Sequence, residues 1–378
     1  MTRKTLEGKV IALGVTGSIA ATEVVRLSHE LRRKGAVVQA VMSAAAARIV
    51  HPDAVTYATG RPALTAITGM VEHVLYCGEE GRADLLLVAP CTANTLAKIA
   101  LGIDDTPVTT FATTAIGRGM PVLVAPAMHG SMYRHPAIAA HLKTLGEWGI
   151  GVVAPRTEEG RAKLASIEAI VLEAERALLG RPLGGKRVLV TSGPCAEPVD
   201  DVRVLTTRSK GRMGREMALE AYRLGAEVTV VHNASLPAVK NVPVTSAGEM
   251  REAVHRIIGD EGADIYVSAA AISDFAPKRV KGKIRSGKPV SLSLDPLPKL
   301  LDEVLEKYRP ETIAFKLGRN EMAAAQALLK RGVRVVVVNA PEVMGAEETE
   351  VTILSRDGER AARGTKEEVA AAIWDALR

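Results

Sequence analysis

The 378-residue sequence has few aromatic residues, few cysteines and no long hydrophobic run. Only 3% of the residues are Phe, Trp or Tyr while 47% are hydrophobic, so we expect a core rich in Ala, Val and Leu. The three cysteines form no CxxC pair and no even set, which argues against a disulfide scaffold and favours a cytoplasmic protein. No apolar run reaches the roughly 18 residues that cross a bilayer, so we expect no membrane partner.

The chain also lacks a basic run and lacks basic residues interleaved with aromatic ones. Both features are typical of nucleic-acid-binding surfaces, so we expect no nucleic acid partner. The formal net charge is nevertheless +6, and such a surplus favours anionic ligands. We therefore expect phosphorylated small molecules as partners.

Two segments in different halves of the chain begin in the same way. A Gly-Lys pair opens an apolar run that ends in a glycine turn, at residues 8–17 and again at 185–193. Each turn leads to a helical pattern and then to a return strand that starts at Gly35 or Gly225. A strand, glycine turn and helix present backbone N–H groups and a helix N-terminus to a phosphate. The sequence therefore predicts two phosphate-binding domains.

Strands alternate with helical patterns through both halves, which is typical of doubly wound, mostly parallel sheets. A Gly/Pro-rich segment at 178–186 predicts a linker, and we expect one domain over 1–182 and another over 183–378. The fold class is therefore α/β with two Rossmann-like domains. Strands are predicted at 9–15, 36–42, 84–89, 121–125 and 150–153, and at 187–191, 227–231, 264–268, 312–316 and 333–338.

Polar residues follow the predicted strands of the first half. Gly17 and Ser18 start the first helical pattern, but their turn is not GxGxxG, which argues against a nicotinamide-dependent dehydrogenase. Thr92 and Asn94 follow the apolar run that begins at 84, and hydroxyls and amides at a helix start can bind a phosphate or a ribityl chain. Ordinary turns and helix caps would use the same residue types, so composition leaves both interpretations open.

Two histidines lie near predicted strands of the first half. His73 precedes the strand at 84–89, and His129 follows the strand at 121–125 in a segment with two methionines and Tyr133. Imidazole ordinarily titrates near pH ~6.5, which suits acid–base chemistry. A single histidine in such a position is nevertheless often structural, and the residues alone do not decide between the two.

The second half carries a basic turn and a lysine-rich loop. Lys210 and Arg212 lie at a helix start, where they suit a triphosphate, although a solvated basic turn would look the same. The strand at 264–268 is followed by Asp274 and then by several lysines, among them Lys283. A carboxylate and a lysine at this spacing could contact a base edge or metal and a phosphate.

Taken together, the motifs of the first half resemble those of the FMN-dependent cysteine decarboxylases. The matching segments are 15–20, 41–43, 72–74, 89–95 and 125–133. The resemblance implies a flavoprotein-like fold and makes His73 the base that acts on a cysteinyl thiol. In this family the flavin oxidises the thiol toward a thioaldehyde, which lets the adjacent carboxylate leave. The implied FMN contacts are Gly17, Ser18, Ser43, Thr92 and Asn94.

The motifs of the second half resemble phosphopantothenate–cysteine ligases, at 191–203, 209–214, 269–274, 282–284 and 314–316. The fused pair is thus similar to the bifunctional decarboxylase/ligase family of coenzyme A biosynthesis. The resemblance implies that CTP with Mg²⁺ activates the carboxylate of phosphopantothenate as an acyl-cytidylate and that cysteine displaces CMP. It leaves open whether the nucleotide is CTP or ATP.

The ligase resemblance also implies site residues and an oligomeric state. It assigns Lys283 a catalytic role at a phosphate-contacting position, with Lys330 as a further phosphate contact and Phe315 beside the nucleotide. We expect a homo-oligomer with a trimeric first domain and a dimeric second domain. The residues implied around the nucleotide base are Ser268, Ala269, Ala270 and Asp274.

The sequence departs from the family pattern at three positions. His129 and Tyr133 stand where Asn and Trp are usual in the decarboxylases. Thr207 stands where the ligases usually have the Asn that helps with the acyl intermediate. The alternative function is a flavin-binding regulatory subunit with a vestigial decarboxylase fold, because a decarboxylase-like flavoprotein fold can serve as an interaction module. His73 and a complete ligase half argue against it.

The flap at 155–165 lacks the cysteine that the family uses as proton donor. Gly160, Arg161 and Lys163 could still close over an anionic substrate. We expect His129 to supply the proton instead, because imidazolium donates near neutral pH. Cys91 is the second candidate for this role.

Overall fold

The computed structural model describes residues 3–158, 161–318, 320–339 and 348–378. It divides after Gly180 into two compact units, Thr2–Gly180 and Arg181–Arg378. In both units helices cover a sheet that is parallel in most of its strand pairs. No helix of the described residues is long and apolar enough to span a membrane.

The first unit contains a five-stranded parallel sheet in the order β2-β1-β3-β4-β5. A short antiparallel hairpin, β6–β7, follows it. The strands are β1 (Val10–Val15), β2 (Val37–Met42), β3 (Leu85–Cys91), β4 (Val122–Pro126), β5 (Gly151–Val152), β6 (Arg156–Glu158) and β7 (Arg161–Lys163). The helices are a 3₁₀ helix (Ile19–Glu23), α1 (Val24–Arg33), α2 (Ala44–Ala47), α3 (Pro52–Thr59), α4 (Glu72–Cys77), α5 (Ala93–Leu101), α6 (Pro107–Arg118), α7 (Gly130–Tyr133), α8 (Pro136–Glu147) and α9 (Ile167–Leu178).

Strand β3 is buried along its whole length because helices cover both faces of the sheet. Leu85 and Leu87 pack in the cluster that contains residues of α1 and α9, whereas Leu86 and Val88 pack in the cluster with α5 and α6. Each buried leucine contributes roughly 2 kcal/mol relative to exposure. This two-sided burial explains why the strand is a continuous apolar run.

The second unit contains an eight-stranded sheet in the order β12-β11-β8-β13-β16-β17-β18-β19. Two short antiparallel pairs, β9–β10 and β14–β15, lie outside that sheet. The strands are β8 (Arg187–Thr191), β9 (Ala196–Pro198), β10 (Val204–Thr206), β11 (Glu227–His232), β12 (Lys240–Pro243), β13 (Ile265–Ser268), β14 (Phe275–Pro277), β15 (Leu294–Pro296), β16 (Glu311–Leu317), β17 (Val335–Asn339), β18 (Glu348–Ser355) and β19 (Gly358–Thr365). The helices are α10 (Arg212–Arg223), α11 (Ala247–Asp260), α12 (Leu300–Lys307), α13 (Met322–Lys330) and α14 (Lys366–Leu377).

Helix α14 packs against α10 over one face of this sheet. Trp374 is fully buried, and its indole N–H donates a 3.0 Å hydrogen bond to the carbonyl of Met217 on α10. The antiparallel strands β18 and β19 lead the chain back to this position. The C-terminal helix therefore belongs to the core of the unit.

The predicted α/β fold class with two mostly parallel sheets is confirmed. Each predicted strand overlaps an observed one, although boundaries differ by a few residues. The first helical pattern, which follows Gly17 and Ser18, begins as a 3₁₀ helix at Ile19 and becomes α-helical at Val24. The antiparallel strands β18 and β19 were not predicted.

Candidate functional site

A cleft of about 750 Å³ opens beside the loops that follow β1 and β4 in the first unit. Its volume lies within the range of roughly 300–1,000 Å³ that is usual for cofactor sites. The polar and charged residues that line it include Ser18, His129, Arg156, Lys163 and Ser166. Hydroxyls and cations suit a phosphorylated ligand, and two glutamates also belong to the lining.

Thr16 connects the loops that carry the predicted flavin contacts. Its buried hydroxyl donates to the carbonyl of Pro90 at 2.7 Å and accepts from the backbone N–H of Thr92 at 3.0 Å. The backbone N–H of Ser43 donates to the carbonyl of Val15 at 3.0 Å. The loops after β1, β2 and β3 are therefore joined at one edge of the sheet.

The predicted hydroxyl contacts are helix caps. Ser18 caps the 3₁₀ helix, and the Ser43 hydroxyl accepts from the backbone N–H of Ala46 at 3.2 Å. The Thr92 hydroxyl accepts from the backbone N–H of Thr95 at 3.2 Å, and Asn94 is exposed in the same first turn. The capping interpretation thus holds for all three hydroxyls, and Ser18 is the one that also lines the cleft.

Gly17 lies where its turn touches α2. A Cβ atom at this position would lie 2.5 Å from the Cβ of Ala45, far inside van der Waals contact. The close approach of the two loops therefore requires glycine here. Gly17 thus allows the two loops to pack closely, and it immediately precedes the cap residue Ser18.

His73 lies on α4 and is half-buried. Its Nδ1 atom is buried and has no hydrogen-bond partner among the described residues. The preceding Glu72 accepts hydrogen bonds from the hydroxyl and the backbone N–H of Thr68, which lower the pKa of that carboxyl. His73 is not among the residues that line the cleft of its own chain.

His129 lines the cleft and is exposed. Its Nδ1 atom lies 2.9 Å from the hydroxyl of Ser131 and accepts from the backbone N–H of the same residue. Nε2 is thus the ring nitrogen that is not engaged with Ser131. Cys91 in contrast is fully buried, and burial raises the pKa of its thiol to about 12.

The hairpin β6–β7 corresponds to the predicted flap. Arg156 at its start and Lys163 at its end line the cleft, and the Arg156 Nε atom donates to the carbonyl of Leu164 at 3.0 Å. Gly160 and the side chain of Arg161 lie outside the described residues. The flap thus brings two cations to the cleft that contains His129.

A second cavity lies at the carboxyl ends of β13, β16 and β17, next to the start of α10. Ligands of open α/β sheets bind at this edge. The lining includes four cationic side chains but no carboxylate among the described residues. The residues are 209–214, 269–271, 315–317, Asn339 and Lys366.

Two glycines bring the start of α10 close to the end of β8. Gly211 has φ +66° at the N-cap position, a conformation that favours glycine. A Cβ at Gly214 would lie 2.4 Å from the hydroxyl of Ser192. The start of the 12-residue helix α10 thus lines the cavity, and the first backbone N–H groups of a helix suit an anion.

The predicted nucleotide contacts fall into two groups. Ala269, Ala270 and Phe315 line the cavity together with Lys210 and Arg212, and Ser268 immediately precedes them at the end of β13. The other three predicted residues do not line it. They are Asp274, which pairs with Lys299, Lys283 in an exposed loop, and Lys330 at the end of α13.

The backbone on both sides of Lys283 is fixed by two carboxylates. Asp201 accepts from the N–H of Gly282 at 2.9 Å, and Asp200 accepts from the N–H of Ile284 at 3.0 Å. Several hydrogen bonds hold the pKa of Asp200 well below its usual range, and the one from the backbone N–H of Ile284 has the largest effect. Lys283 therefore projects from an anchored segment of the lysine-rich loop.

Comparison with known proteins identifies the family. The Flavoprotein family model matches residues 1–178, and the model for the DNA/pantothenate metabolism flavoprotein C-terminal domain matches residues 183–378. The chain is 45% identical to the coenzyme A biosynthesis bifunctional protein CoaBC of Thermococcus kodakarensis, over 98% of this chain and 95% of that protein. The chain belongs to the CoaBC family.

Other members and structures are more distant. The CoaBC protein of Methanocaldococcus jannaschii is 34% identical over 99% of this chain and 94% of its own length. A crystal structure of the C-terminal domain of a CoaBC protein is 30% identical, with a TM-score of 0.44, and covers 52% of this chain and 96% of that domain.

Membership of the CoaBC family confirms the predicted bifunctional enzyme of coenzyme A biosynthesis, with a decarboxylase flavoprotein half and a ligase half. Sequence reasoning missed Thr16, Asn339 and Lys366. Asn339 follows the apolar run 335–338, so the rule used for the other strand ends would have found it. Its Oδ1 atom is buried, lacks a partner among the described residues, and offers an acceptor to a ligand N–H.

Proposed function

We propose that the second unit joins cysteine to 4'-phosphopantothenate by using CTP, and that the first unit decarboxylates the product, phosphopantothenoylcysteine, to phosphopantetheine with FMN. The observation that carries this proposal is the cationic cavity at the carboxyl edge of the second sheet. Membership of the CoaBC family supports it over nearly the full length of the chain.

The second unit is suited to a triphosphate. Lys210, Arg212 and the first N–H groups of α10 surround the cavity, and Lys283 and Lys330 are the further phosphate contacts we propose. The described residues contain no cluster of three or more His, Cys, Asp or Glu side chains that could hold a metal. We propose that Mg²⁺ binds through phosphate oxygens and water.

The ligation needs two displacements. A carboxylate oxygen of phosphopantothenate forms a bond to the α-phosphorus of CTP while the α–β P–O bond breaks, and pyrophosphate leaves. The amine of cysteine then attacks the acyl carbon, CMP leaves, and one proton is released. In our proposal, Phe315 and the segment Ser268–Ala270 hold the nucleotide base, and Asp274 contacts its edge.

The first unit fits FMN in volume and in chemistry. The cleft offers the Ser18 hydroxyl and the cations Arg156 and Lys163, and the hydroxyls of Ser43 and Thr92 lie at neighbouring strand ends. FMN, when bound, supplies the electron sink for decarboxylation. We assign the chain two proton transfers: His73 takes the thiol proton, and His129 returns a proton through Nε2.

The position of His73 supports a homo-oligomer. Because His73 lies outside the cleft of its own chain, a neighbouring copy is needed to bring this base to a substrate held beside His129. Met70 and Val74, close to His73 in sequence, are exposed apolar residues that suit such a contact. We propose a trimer of the first unit and a dimer of the second. We also propose a cytoplasmic location, which three free, buried cysteines support.

One spectrum and one coupled assay test the proposal. The purified protein should be yellow, and with phosphopantothenate, CTP and cysteine it should release pyrophosphate and then carbon dioxide. Replacing CTP with ATP in parallel reactions identifies the nucleotide. Bound flavin without any turnover would instead favour the regulatory subunit.

A further inference from the structure

The cavity of the second unit receives a lysine from the C-terminal helix. Lys366 is the first residue of α14, and it lines the cavity together with Lys210, Arg212 and Lys316. Backbone, apolar and uncharged polar groups make up the rest of the described lining. The positive charge of this cavity is therefore not balanced by a carboxylate within its described lining.

Lys366 is held in place from both sides along the chain. The preceding Thr365 caps α14 and forms a capping box with Glu368. The following Glu367 forms a 3.4 Å ion pair with Arg223 of α10. The start of α14 is thus fixed to the same helix whose first residue, Arg212, lies at the cavity.

The surroundings of Lys366 disfavour its charge in the free protein. The side chain is half-buried, and burial and the nearby Arg212 both lower the pKa of its ammonium group. A buried charge is costly unless an opposite charge compensates it. An anion bound in the cavity would supply that compensation to Lys366.

We propose that Lys366 is a phosphate-binding residue for the nucleoside triphosphate used in ligation. This inference rests on the proposed function of the second unit and adds to it a contact from the C-terminal helix. The Nζ atom donates to phosphate oxygens alongside Lys210 and Arg212. The contacts between α14 and α10 fix Lys366 relative to Arg212, so little ordering of Lys366 is needed on binding.

The test compares the full-length protein with Lys366→Met, Lys366→Arg and the control Lys186→Met. Lys186 is exposed and precedes β8, at the opposite edge of the sheet from the cavity. Isothermal titration gives affinities for CTP and for cytidine, and pyrophosphate release gives kcat and KM for CTP. We expect Lys366→Met to weaken CTP binding at least ~10-fold, the effect of losing a charge-assisted hydrogen bond, and to change cytidine binding less than ~2-fold.

The arginine variant should retain most of the CTP affinity, since it keeps the charge, and Lys186→Met should behave as wild type. Carbon dioxide release from phosphopantothenoylcysteine reports in each sample that the first unit is intact. Equal losses of affinity for CTP and for cytidine in Lys366→Met, or a CTP affinity within ~2-fold of wild type, would overturn the role of Lys366. Either result would leave the proposed function of the second unit standing. A wild-type protein that binds no CTP or ATP and releases no pyrophosphate would overturn the proposed function itself.

Discussion

Asp264 accepts a 2.8 Å hydrogen bond from the backbone N–H of Arg187, at the amino-terminal end of the central strands of the second sheet. The carbonyl of Arg187 in turn accepts from the N–H of Asp264 at 2.9 Å. The first unit repeats this arrangement, where Asp84 accepts from the N–H of Val10 at 2.8 Å. Both sheets thus use an aspartate to align adjacent strands at the edge away from the candidate sites.

Replacing Asp264 by Asn should destabilise the second sheet in a pH-dependent way. The hydrogen bond from Arg187 lowers the pKa of Asp264 in the folded state, so the folded protein binds fewer protons than the unfolded chain. The stabilisation is present above pH ~4 and is lost as pH falls from there through the lowered folded pKa. At pH 7 we expect Asp264→Asn to cost about 1 kcal/mol, measured by hydrogen exchange of β8 and β13 amides.

The difference between wild type and Asp264→Asn should shrink on acidification below pH ~4. Asp260→Asn, a change at an exposed position at the end of α11, is the matched control and should leave exchange in β8 unchanged. A constant difference between pH 7 and pH 3 would contradict the assignment of the effect to the Asp264 carboxylate.

The parallel strands were predictable because each is a local apolar run bounded by turn residues. Strands β18 and β19 were not predicted, and β19 carries the exposed residues Arg360 and Arg363 and lacks an apolar pattern. Its pairing depends on the neighbouring strand β18. The same long-range pairing brings Lys366 to the cavity, so no local motif could identify that residue.

The family resemblance, rather than a local pattern, implied Ala269, Ala270 and Phe315 as nucleotide contacts. The structure brings these three residues together in one cavity at the carboxyl edge of the sheet. The position of Lys283 could not be inferred from the sequence around it, because the backbone there is held by Asp200 and Asp201 in a distant loop. Thr16 was missed because a buried threonine after a strand has no distinctive pattern.

Gly17→Ala should weaken flavin binding, and a second change should restore it. The new Cβ would lie 2.5 Å from the Cβ of Ala45, which forces the loops after β1 and β2 apart. Overpacking of this kind costs about 1–3 kcal/mol, so we expect roughly 10-fold weaker FMN binding by fluorescence titration. The double variant Gly17→Ala/Ala45→Gly removes the 2.5 Å contact, leaves a tight 3.2 Å contact with the backbone carbon of residue 45, and should recover most of the affinity. Failure of the double variant to recover would show that the effect is not steric.

His73→Asn should abolish decarboxylation without removing the flavin. The proposed flavin contacts lie on other loops, so the absorption spectrum should be unchanged, whereas loss of a general base should lower the rate at least ~100-fold. His135→Asn is the matched control, because His135 caps α8 and Asn is also a good cap. Near wild-type carbon dioxide release by His73→Asn would remove His73 from the mechanism.

The ligase half should work as a separate fragment. Residues 183–378 contain each proposed nucleotide contact. The two units divide between Gly180 and Arg181, shortly before this span begins. We expect the fragment to release pyrophosphate when given phosphopantothenate and CTP. Lys283→Gln should impair this step, measured by phosphate detection with added pyrophosphatase, and Lys307→Gln on α12 is the control. Unchanged turnover in Lys283→Gln would exclude Lys283 from the site.

His129→Asn should block the last proton transfer of decarboxylation. His129 lines the cleft, and when its ring is protonated Nδ1–H can donate to the Ser131 hydroxyl while Nε2–H is available to the product. We expect carbon dioxide release to continue while the enethiol product accumulates, as followed by mass spectrometry. The competing donor, Cys91, is fully buried with a pKa raised to about 12, so Cys91→Ala should form phosphopantetheine normally. Normal product from His129→Asn, together with accumulated enethiol in Cys91→Ala, would reverse the assignment in favour of the buried thiol.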